Sequence, residues 1–322
     1  MESSVLKVNN LSKSFRVKYF RKVQALNGLS MSLKRGEIYG FVGENGSGKT
    51  TLMRIVAGRI FADDGNIELF GKSQKADYTA QLAKIGALIE QPGIYGGMTV
   101  WDNLWAVSIL KSAEDRKHIE KILNTVGLTA EKNMKAKNLS LGKKQRLGIG
   151  MALIGNPELL ILDEPINGMD PRSMIEFRET MQLLNQENGV TILISSHILS
   201  ELDKLATCYG FIKEGRLVEE ISAEELHRRC QSCITIKTGD SKIAANLLEQ
   251  LFPGSFVTRV TKQTLLMFGF EGNIEDIQTI FRETNMSVEE VTIKEGSLES
   301  YYLYKMEDYE YNRSKKDFGM EG

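Results

Sequence analysis

A glycine-rich segment that follows an apolar strand constrains this sequence more than any other feature. Residues 38–42 are apolar and predict a buried strand, and residues 43–50 read GENGSGKT, which fits the pattern G-x4-G-K-[ST]. A helix is predicted over residues 49–57, and Gly58 is placed to end it. Glycines let backbone amides approach phosphate oxygens closely, and the N-terminal end of a helix attracts the same anion. The segment therefore predicts a phosphate-binding loop between a strand and a helix.

Two side chains at the end of this loop carry its expected chemistry. Lys49 is expected to reach the β and γ phosphates of a nucleotide, and the Thr50 hydroxyl is expected to ligate Mg²⁺. An ordinary glycine turn is the alternative, and the strand before the loop and the helix after it disfavour that alternative. The other predicted phosphate contacts are Gly43, Glu44, Asn45, Gly46, Ser47, Gly48 and Thr51.

A second apolar strand, residues 159–162, ends in two acids. Asp163 at the strand end can hold Mg²⁺, directly or through water. Glu164 is then placed to polarise an attacking water molecule. Acids often begin loops, so the pair gains its meaning from the phosphate loop predicted on the same sheet. The two segments together indicate phosphoryl transfer to water.

Strands and helices alternate through the first 222 residues. The predicted strands are residues 5–8, 25–33, 38–42, 85–89, 159–162 and 190–194. A helix is predicted over residues 171–186, with proline in its first turn, and residues 92–155 are mainly helical with Thr99 as a good N-cap. This alternation predicts an α/β domain over residues 1–222, with a mostly parallel core sheet covered on its faces.

The composition changes near Ser222, which marks a predicted domain boundary. The elements predicted beyond it are a strand at 233–237, a helix at 242–251, strands at 256–261 and 264–269, a helix at 274–284 and a strand at 288–294. This βαββαβ order predicts a small α+β unit of the ferredoxin-like kind within residues 223–306. Residues 307–322 are charged and poor in apolar side chains, so we expect a flexible tail there.

Charge and hydropathy argue against two broad classes of protein. Lys and Arg total 41 against 42 Asp and Glu, so the net charge of −1 gives no global reason to bind nucleic acid. No run approaches the roughly 18 apolar residues that span a bilayer, and the N-terminus lacks the apolar core of a signal peptide. We therefore expect a cytoplasmic chain that reaches any membrane through a partner and has no nucleic-acid partner.

Residues 139–146, LSLGKKQR, resemble the signature motif of ABC ATPases, whose usual form is LSGGQ. Ser140 and Gly142 are retained, whereas Leu141 replaces a glycine and Lys143 replaces the glutamine. The pattern S-L-G-x-K-Q-R is similar to the variant in bacterial ABC subunits for peptide-antibiotic export or immunity. The resemblance implies a P-loop NTPase of the ABC ATPase fold, with a small antiparallel N-terminal sheet and a helical subdomain over about residues 92–155.

The other family positions follow in the expected order. Gln91 resembles the Q-loop glutamine that senses Mg²⁺ and the γ phosphate, and Asp170 resembles the aspartate of the D-loop. His197 resembles the switch histidine, which contacts the γ phosphate and helps to orient water. Phe15 lies where the family places an aromatic ring on adenine, and burial in the N-terminal sheet is its alternative. The resemblance implies that Ser140 and Gly142 contact the ATP held by a second subunit.

The resemblance also implies a function. It is that of an ATP-hydrolysing ABC transporter subunit, with ATP and Mg²⁺ as cofactors, which drives a separate multi-span permease from the cytoplasmic face of the membrane. The subunits dimerise on ATP as a homodimer or a heterodimer, and export of a peptide antibiotic or an amphipathic compound is favoured. A soluble ABC ATPase acting on ribosomes or DNA and a nucleotide-gated regulator with little turnover are the rival functions.

Two regions keep alternatives open. Trp101 and Trp105 lie on one predicted helix, where they either form a docking groove for the permease or fill the core of the helical subdomain. The C-terminal domain either aids dimerisation, contacts the permease or binds a regulator. Residues 297–302 resemble a segment near the end of many ABC export subunits, and a packing helix explains them equally well.

Overall fold

The computed structural model describes residues 4–17, 21–73, 78–230, 233–253, 255–259, 261–270, 272–284, 286–294 and 297–317. The chain divides into two compact units, residues 1–220 and 221–322. The elements up to Ser222 are, in chain order, β1 (Ser4–Val17), β2 (Arg21–Lys34), β3 (Ile38–Val42), α1 (Lys49–Val56), β4 (Asp64–Leu69), β5 (Lys72–Ser73), α2 (Tyr78–Leu82), β6 (Ile85–Leu88), α3 (Val100–Leu110), α4 (Arg116–Thr125), α5 (Leu141–Leu153), β7 (Leu159–Asp163), α6 (Pro171–Gln186), β8 (Thr191–Ser196), α7 (Leu199–Leu202), β9 (Cys208–Lys213) and β10 (Arg216–Ser222).

A six-stranded sheet forms the centre of the first unit, with the strand order β10-β9-β3-β8-β7-β6. β3 is parallel to both β8 and β9, and β7 is parallel to both β8 and β6. Every residue of β3, β7 and β8 is buried, as their apolar sequences predict for a sheet covered on both faces. The predicted α/β fold with a mostly parallel core sheet is confirmed. Since these strands are parallel, their carboxyl ends lie at one edge of the sheet.

An antiparallel sheet of the order β2-β1-β4-β5 lies in the same unit, as predicted. β1 and β2 are 14 residues each, much longer than the strands predicted from the sequence. The pairing of β1 with β2 shifts register between Val8 and Leu11 and again between Leu11 and Ser14. Each such irregularity interrupts the alternation of apolar and polar side chains, so the continued strand carries no simple period-2 pattern.

The helical region contains α3, α4 and α5, which lie between β6 and β7 in the chain. Thr99 caps α3 as predicted, because its Oγ1 accepts a hydrogen bond from Asp102 N at 3.0 Å and its own N donates to Asp102 Oδ2 at 3.2 Å. Leu104 is 0% exposed and belongs to the core. Trp101 and Trp105 are half-buried, and each ring has a cation over it, so neither is an ordinary core side chain.

The second unit contains, after β10, α8 (Ala223–Cys230), β11 (Cys233–Thr238), α9 (Ser241–Leu251), β12 (Phe256–Arg259), β13 (Thr264–Phe268), α10 (Ile274–Glu283), β14 (Val288–Lys294) and α11 (Leu298–Asp317). Its sheet has the order β12-β13-β11-β14, and every neighbouring pair is antiparallel. Each of the two βαβ connections therefore leaves one strand's space between the strands it joins, which is the split βαβ arrangement of a ferredoxin-like unit. Apolar side chains of α9, α10 and the sheet form one core.

The chain remains helical where the sequence led us to expect a flexible tail. Helix α11 runs through Asp317, so residues 307–317 are helical, and residues 318–322 lie outside the described part. The helix is held by an aromatic face, since the rings of Tyr301 and Tyr304 lie 6.2 and 5.8 Å from the ring of Phe268. A helix fixed in this way can continue into polar residues, which explains the difference. Neither α11 nor another helix in the described ranges is long and apolar enough to cross a membrane.

Candidate nucleotide-binding site

The parallel strands of the central sheet end at one edge, and predicted site residues lie at the ends of four of them. The glycine loop follows β3, the two acids end β7, Gln91 follows β6 and His197 follows β8. The register places Val42 beside Ser196 and Asp163 beside Ser195. Segments that are far apart in the sequence therefore meet at the edge where open α/β sheets bind their ligands.

The loop between β3 and α1 needs its glycines. Gly46 has φ of 83° and Gly48 has φ of 114°, which side chains with a Cβ rarely adopt. A Cβ on Gly43 would lie 2.5 Å from Ile212 O, and a Cβ on Gly48 would lie 2.5 Å from Ala25 O. Close backbone approach and positive φ together give this loop a compact shape, and successive backbone amides in such loops form anion-binding concavities.

Lys49 lies at the centre of the site. Its side chain is 5% exposed, and its Nζ donates hydrogen bonds to Gly43 O at 2.5 Å and to Glu44 O at 3.1 Å. Nζ also lies 3.8 Å from Glu164 Oε1. Burial lowers the pKa of Lys49, and the charges of Glu164, Asp163 and Glu44 oppose that shift. The ammonium thus stands between the loop and the acidic end of β7.

Glu164 joins the acidic end of β7 to His197. Its Oε2 lies 2.6 Å from His197 Nδ1, and the backbone N of His197 donates to the same oxygen at 3.3 Å. Its Oε1 is buried with no hydrogen-bond partner within the described ranges, although the Lys49 ammonium is near. Glu164 has φ of 49°, a left-handed conformation that is uncommon outside glycine and that recurs at functional sites. One carboxylate therefore faces both a cation and an imidazole.

Ser195 is a site residue that our sequence analysis missed. Its Oγ donates to Asp163 Oδ1 at 2.6 Å and accepts a hydrogen bond from Glu164 N at 2.9 Å. A serine inside a buried apolar strand, two residues before His197, was the available signal. A polar residue at a strand end is common, so that signal alone could not identify it.

A cavity of about 700 Å³ extends from the acidic pair toward the helical region. Its lining includes Gln91, Asp163, Glu164, Leu141, Gln145 and Gly168. The structure thus brings Gln91 to the acidic end of β7, although these residues lie more than 70 positions apart in the sequence. The same cavity connects the site to the start of α5 and to the segment before α6.

The residues predicted to hold Mg²⁺ have suitable ligand atoms. Thr50, Gln91 and Asp163 provide a hydroxyl, an amide and a carboxylate oxygen, and Mg²⁺ binds oxygen. Ser47 Oγ is a further buried oxygen without a hydrogen-bond partner in the described part of the chain. Those same ranges contain no group of three His, Cys, Asp or Glu residues that could hold an ion. This mixed donor set fits Mg²⁺ that arrives with phosphate oxygens and keeps water ligands.

The signature and D-loop residues form helix caps. Ser140 caps α5 by accepting a hydrogen bond from Lys143 N at 3.4 Å, and Asp170 caps α6 by accepting one from Ser173 N at 3.1 Å. The Ser173 hydroxyl also donates to Asp170 at 2.7 Å, and these bonds lower the pKa of Asp170. A Cβ on Gly142 would lie 2.9 Å from Ser173 Oγ, so the starts of α5 and α6 are close together.

Phe15 lies on β1 opposite Val23, and the Nζ of Lys13 is 5.7 Å from the centre of its ring. The ring is half-buried. It is therefore neither a fully packed core residue nor a fully exposed platform, and its contact with adenine stays a prediction.

Comparison with known proteins gives the same family from sequence and from fold. Residues 26–167 match the family model described as ABC transporter. The bacitracin transport ATP-binding protein BcrA of Enterococcus faecalis is 37% identical over 92% of this chain and 95% of its own length. The lantibiotic transport ATP-binding protein SrtF of Streptococcus pyogenes is 41% identical over 67% of this chain and 90% of its own.

A solved structure supports the fold independently. An ATP-binding cassette of an ABC transporter in its ADP conformation superposes with a TM-score of 0.61, is 27% identical, and matches 70% of this chain and 94% of that one. Identity to BcrA extends over almost the whole of both chains, beyond the cassette itself. The chain therefore belongs to the ATP-binding proteins of the ABC transporter family.

Proposed function

We propose that the carboxyl edge of the central sheet is the ATP-hydrolysing centre of this transporter subunit, with Glu164, His197 and Lys49 as its catalytic residues. The observation that carries this proposal is the position of the Glu164 carboxylate, 2.6 Å from His197 Nδ1 and 3.8 Å from Lys49 Nζ. A base, a group that orients the base and a cation for phosphate charge thus lie together beside a phosphate-type loop. General-base chemistry requires this kind of proximity before any tuning of the pKa.

The roles follow from what each group can do. Glu164 accepts the proton of a water whose oxygen attacks the γ phosphorus, while the bond from that phosphorus to the bridging oxygen of ADP breaks. His197 holds the carboxylate and orients the water. Lys49 and the loop amides from Gly43 to Thr51 neutralise the charge on the phosphates. Thr50, Gln91 and Asp163 would hold Mg²⁺, which would supply further positive charge to those oxygens.

The site is completed by a second subunit in this proposal. Two copies, or this chain and a related one, enclose two ATP molecules head to tail, so that Ser140, Gly142 and Asp170 of one subunit act on the ATP of the other. Support comes from the position of Ser140 at the N-terminal end of α5, because backbone N–H groups at the start of a helix can bind a phosphate group. Loss of the γ phosphate removes a shared ligand, and the pair opens. Phe15 stacks on the adenine within its own subunit.

The output of this motion is a separate multi-span permease at the cytoplasmic face of the membrane. Support comes from the relatives, which are named for the transport of bacitracin and of a lantibiotic. Exposed and half-buried apolar side chains of the helical region and the segment before it, including those of Tyr95, Trp101 and Trp105, provide a surface on which a permease helix can dock. We propose a peptide antibiotic or a similar amphipathic compound as the exported cargo.

The extent of the sequence matches across the two units distinguishes between the possible cargoes. The match to BcrA covers 298 residues, whereas the match to SrtF covers 216 residues, which is about the length of the first unit alone. Likeness across both units therefore favours cargo of the bacitracin kind over a lantibiotic. We propose that residues 223–306 form an accessory domain that serves the permease or the dimer, rather than the chemistry of ATP.

Substitution of Glu164 by Gln tests the site. The full chain with Glu164→Gln should lose about 10²- to 10⁴-fold in ATP hydrolysis, which is the usual contribution of a general base, and should form a dimer in Mg-ATP that light scattering detects. Lys49→Ala is the matched control, because it should abolish the dimer by weakening ATP binding. Hydrolysis at the wild-type rate by Glu164→Gln would refute its role as the base. A Glu164→Gln chain that stays monomeric in Mg-ATP would refute the sandwich for the isolated subunit.

Affinity capture tests the partner. Tagged Glu164→Gln chain in Mg-ATP should retain a multi-span membrane protein in stoichiometric amount from detergent-solubilised host membranes, as identified by mass spectrometry. Ribosomal proteins or nucleic acid at that level, with no membrane protein, would instead establish a soluble machine. Lys49→Ala captured in parallel controls for adhesion that does not depend on the nucleotide.

A further inference from the structure

A single buried hydroxyl connects the two acids of the site. Ser195 is 0% exposed and lies on β8, directly beside Asp163 of β7 in the parallel register. Its Oγ is 2.6 Å from Asp163 Oδ1 and 2.9 Å from the backbone N of Glu164. One side chain therefore touches consecutive residues through two different groups, a carboxylate and a peptide N–H.

The directions of these two hydrogen bonds follow from the chemistry of the groups. The peptide N–H of Glu164 can only donate, so Ser195 Oγ must accept there. An ionised carboxylate can only accept, so the one hydrogen of the hydroxyl must point to Asp163. A separation of 2.6 Å is typical of a hydroxyl donating to a charged carboxylate. The Ser195 side chain is fully buried, so both hydrogen bonds form at a hydroxyl that solvent does not reach.

The hydrogen bond from the Glu164 N–H to Ser195 lies at a residue with a left-handed backbone conformation. Glu164 has φ of 49°, and its side chain starts from that strained position toward His197 and Lys49. A hydrogen bond on the N–H of this residue restricts the rotation of the peptide that sets the direction of the side chain. The bond to Asp163 meanwhile fixes one carboxylate oxygen. We infer that Ser195 is a positioning residue for ATP hydrolysis, which orients Asp163 toward the metal and Glu164 toward the attacking water at the same time.

The neighbouring serine, Ser196, has a different hydrogen-bond partner, so the proposed positioning role is specific to Ser195. Ser196 is equally buried, but its Oγ accepts a hydrogen bond from Ile198 N at 2.9 Å, just before α7. Side chains alternate between the two faces of a strand, so only every second residue of β8 can face Asp163. Alanine at position 195 would occupy nearly the same space but would leave Asp163 and the Glu164 N–H without this partner.

This inference rests on the proposed function of the site, and the test separates the two. Ser195→Ala is compared with the wild type and with Glu164→Gln for ATP hydrolysis, for the Mg²⁺ concentration at half-maximal rate, and for the affinity of a fluorescent ATP analogue in Mg²⁺ and in EDTA. Loss of an outer-sphere hydrogen bond to a ligand typically costs 10- to 100-fold in metal affinity or activity. We expect a loss of that size in the rate and in the gain of affinity that Mg²⁺ provides. Affinity in EDTA should stay within about twofold of wild type, which a general loss of structure would not allow.

Two further variants keep the outcome decisive. Thr191→Val removes another 0% exposed hydroxyl at the far end of β8 and should leave the Mg²⁺ dependence unchanged. Ser195→Thr retains the hydroxyl and should recover most of the rate. If Ser195→Ala does not fold, the same measurements are made on Ser195→Cys, whose thiol is a weak hydrogen-bond donor. Full rate and wild-type Mg²⁺ dependence in Ser195→Cys would overturn the inference. A folded Ser195→Ala with full rate and wild-type Mg²⁺ dependence would also overturn the inference about Ser195, provided that Glu164→Gln is inactive. An active Glu164→Gln would instead refute the proposed site itself.

Discussion

Three glycines of the phosphate loop differ in whether backbone conformation or steric space excludes a larger residue. Gly46 has φ of 83° and open space where a Cβ would lie. Gly43 lacks a left-handed φ, but a Cβ there would lie 2.5 Å from Ile212 O. Gly48 combines φ of 114° with a Cβ position 2.5 Å from Ala25 O. Alanine at each position therefore introduces strain alone, steric overlap alone, or both.

The magnitudes follow from these separate costs. A residue forced into a sparsely populated φ region costs about 1–3 kcal/mol, which is the expected loss for Gly46→Ala. An added methyl group against fixed backbone costs about 1–3 kcal/mol, which is the expected loss for Gly43→Ala. Gly48→Ala should lose roughly the sum, about 2–6 kcal/mol, because the overlapping atom is a backbone oxygen that cannot rotate away.

Urea unfolding followed by tryptophan fluorescence measures these losses in the relevant unit. The chain has two tryptophans, Trp101 and Trp105, and both belong to the first unit, so the signal does not report unfolding of the second. Comparison of midpoints at a constant slope then gives the change in free energy of unfolding. The reasoning fails if Gly46→Ala costs as much as Gly48→Ala, or if Gly43→Ala has no cost.

Two further stability predictions use the same fluorescence assay. Thr99→Ala should lower the free energy of unfolding of the first unit by about 1 kcal/mol, since it removes one half of the capping box with Asp102, and an unchanged midpoint would contradict that cap. Burial raises the pKa of the Cys208 thiol from 9.0 to about 12, so the folded chain retains a proton that the unfolded chain loses. Stability should therefore fall as the pH rises from about 9 toward 12, and Cys208→Ala should show a shallower decline than the wild type.

Local patterns predicted the elements whose signals are short-range. Helix α6 runs from Pro171 to Gln186 as expected, because proline is favoured in the first turn of a helix and marks its start. The buried strands β3 and β7 were equally clear from their apolar runs. The residues after them could be placed at one edge because parallel strands share the direction of their carboxyl ends.

Features that depend on long-range contacts were not predictable in this way. The extent of β1 and β2 depends on pairing across register shifts, which no local period reveals. The helix beyond residue 307 depends on aromatic packing that begins at Tyr301, and a charged sequence alone indicates none of it. Ser195 acquires its role only from the pairing of β7 with β8, which lie about 30 residues apart in the chain.

The departures of the signature segment from its usual form follow the packing within one subunit. The side chain of Leu141 is 52% exposed, so a large residue fits where the family usually has glycine. Lys143, in place of glutamine, pairs with Glu131 at 2.5 Å, which balances its charge. Gly142 has no such freedom, because a Cβ there would meet Ser173 Oγ at 2.9 Å. A side chain at the retained glycine would displace the Ser173 hydroxyl, which donates a hydrogen bond to Asp170.

Leu141 in turn packs against a glycine in the segment before α6. Gly168 has φ of 74°, and a Cβ there would lie 2.8 Å from Leu141 Cδ2. The unusual signature residue therefore packs against a glycine that precedes Asp170, which joins the signature segment to the D-loop segment inside one chain. Both segments are proposed to face the partner's ATP, so this contact joins two parts of one proposed interface. Replacement of Leu141 by Gly would remove that link while leaving the caps at Ser140 and Asp170 in place.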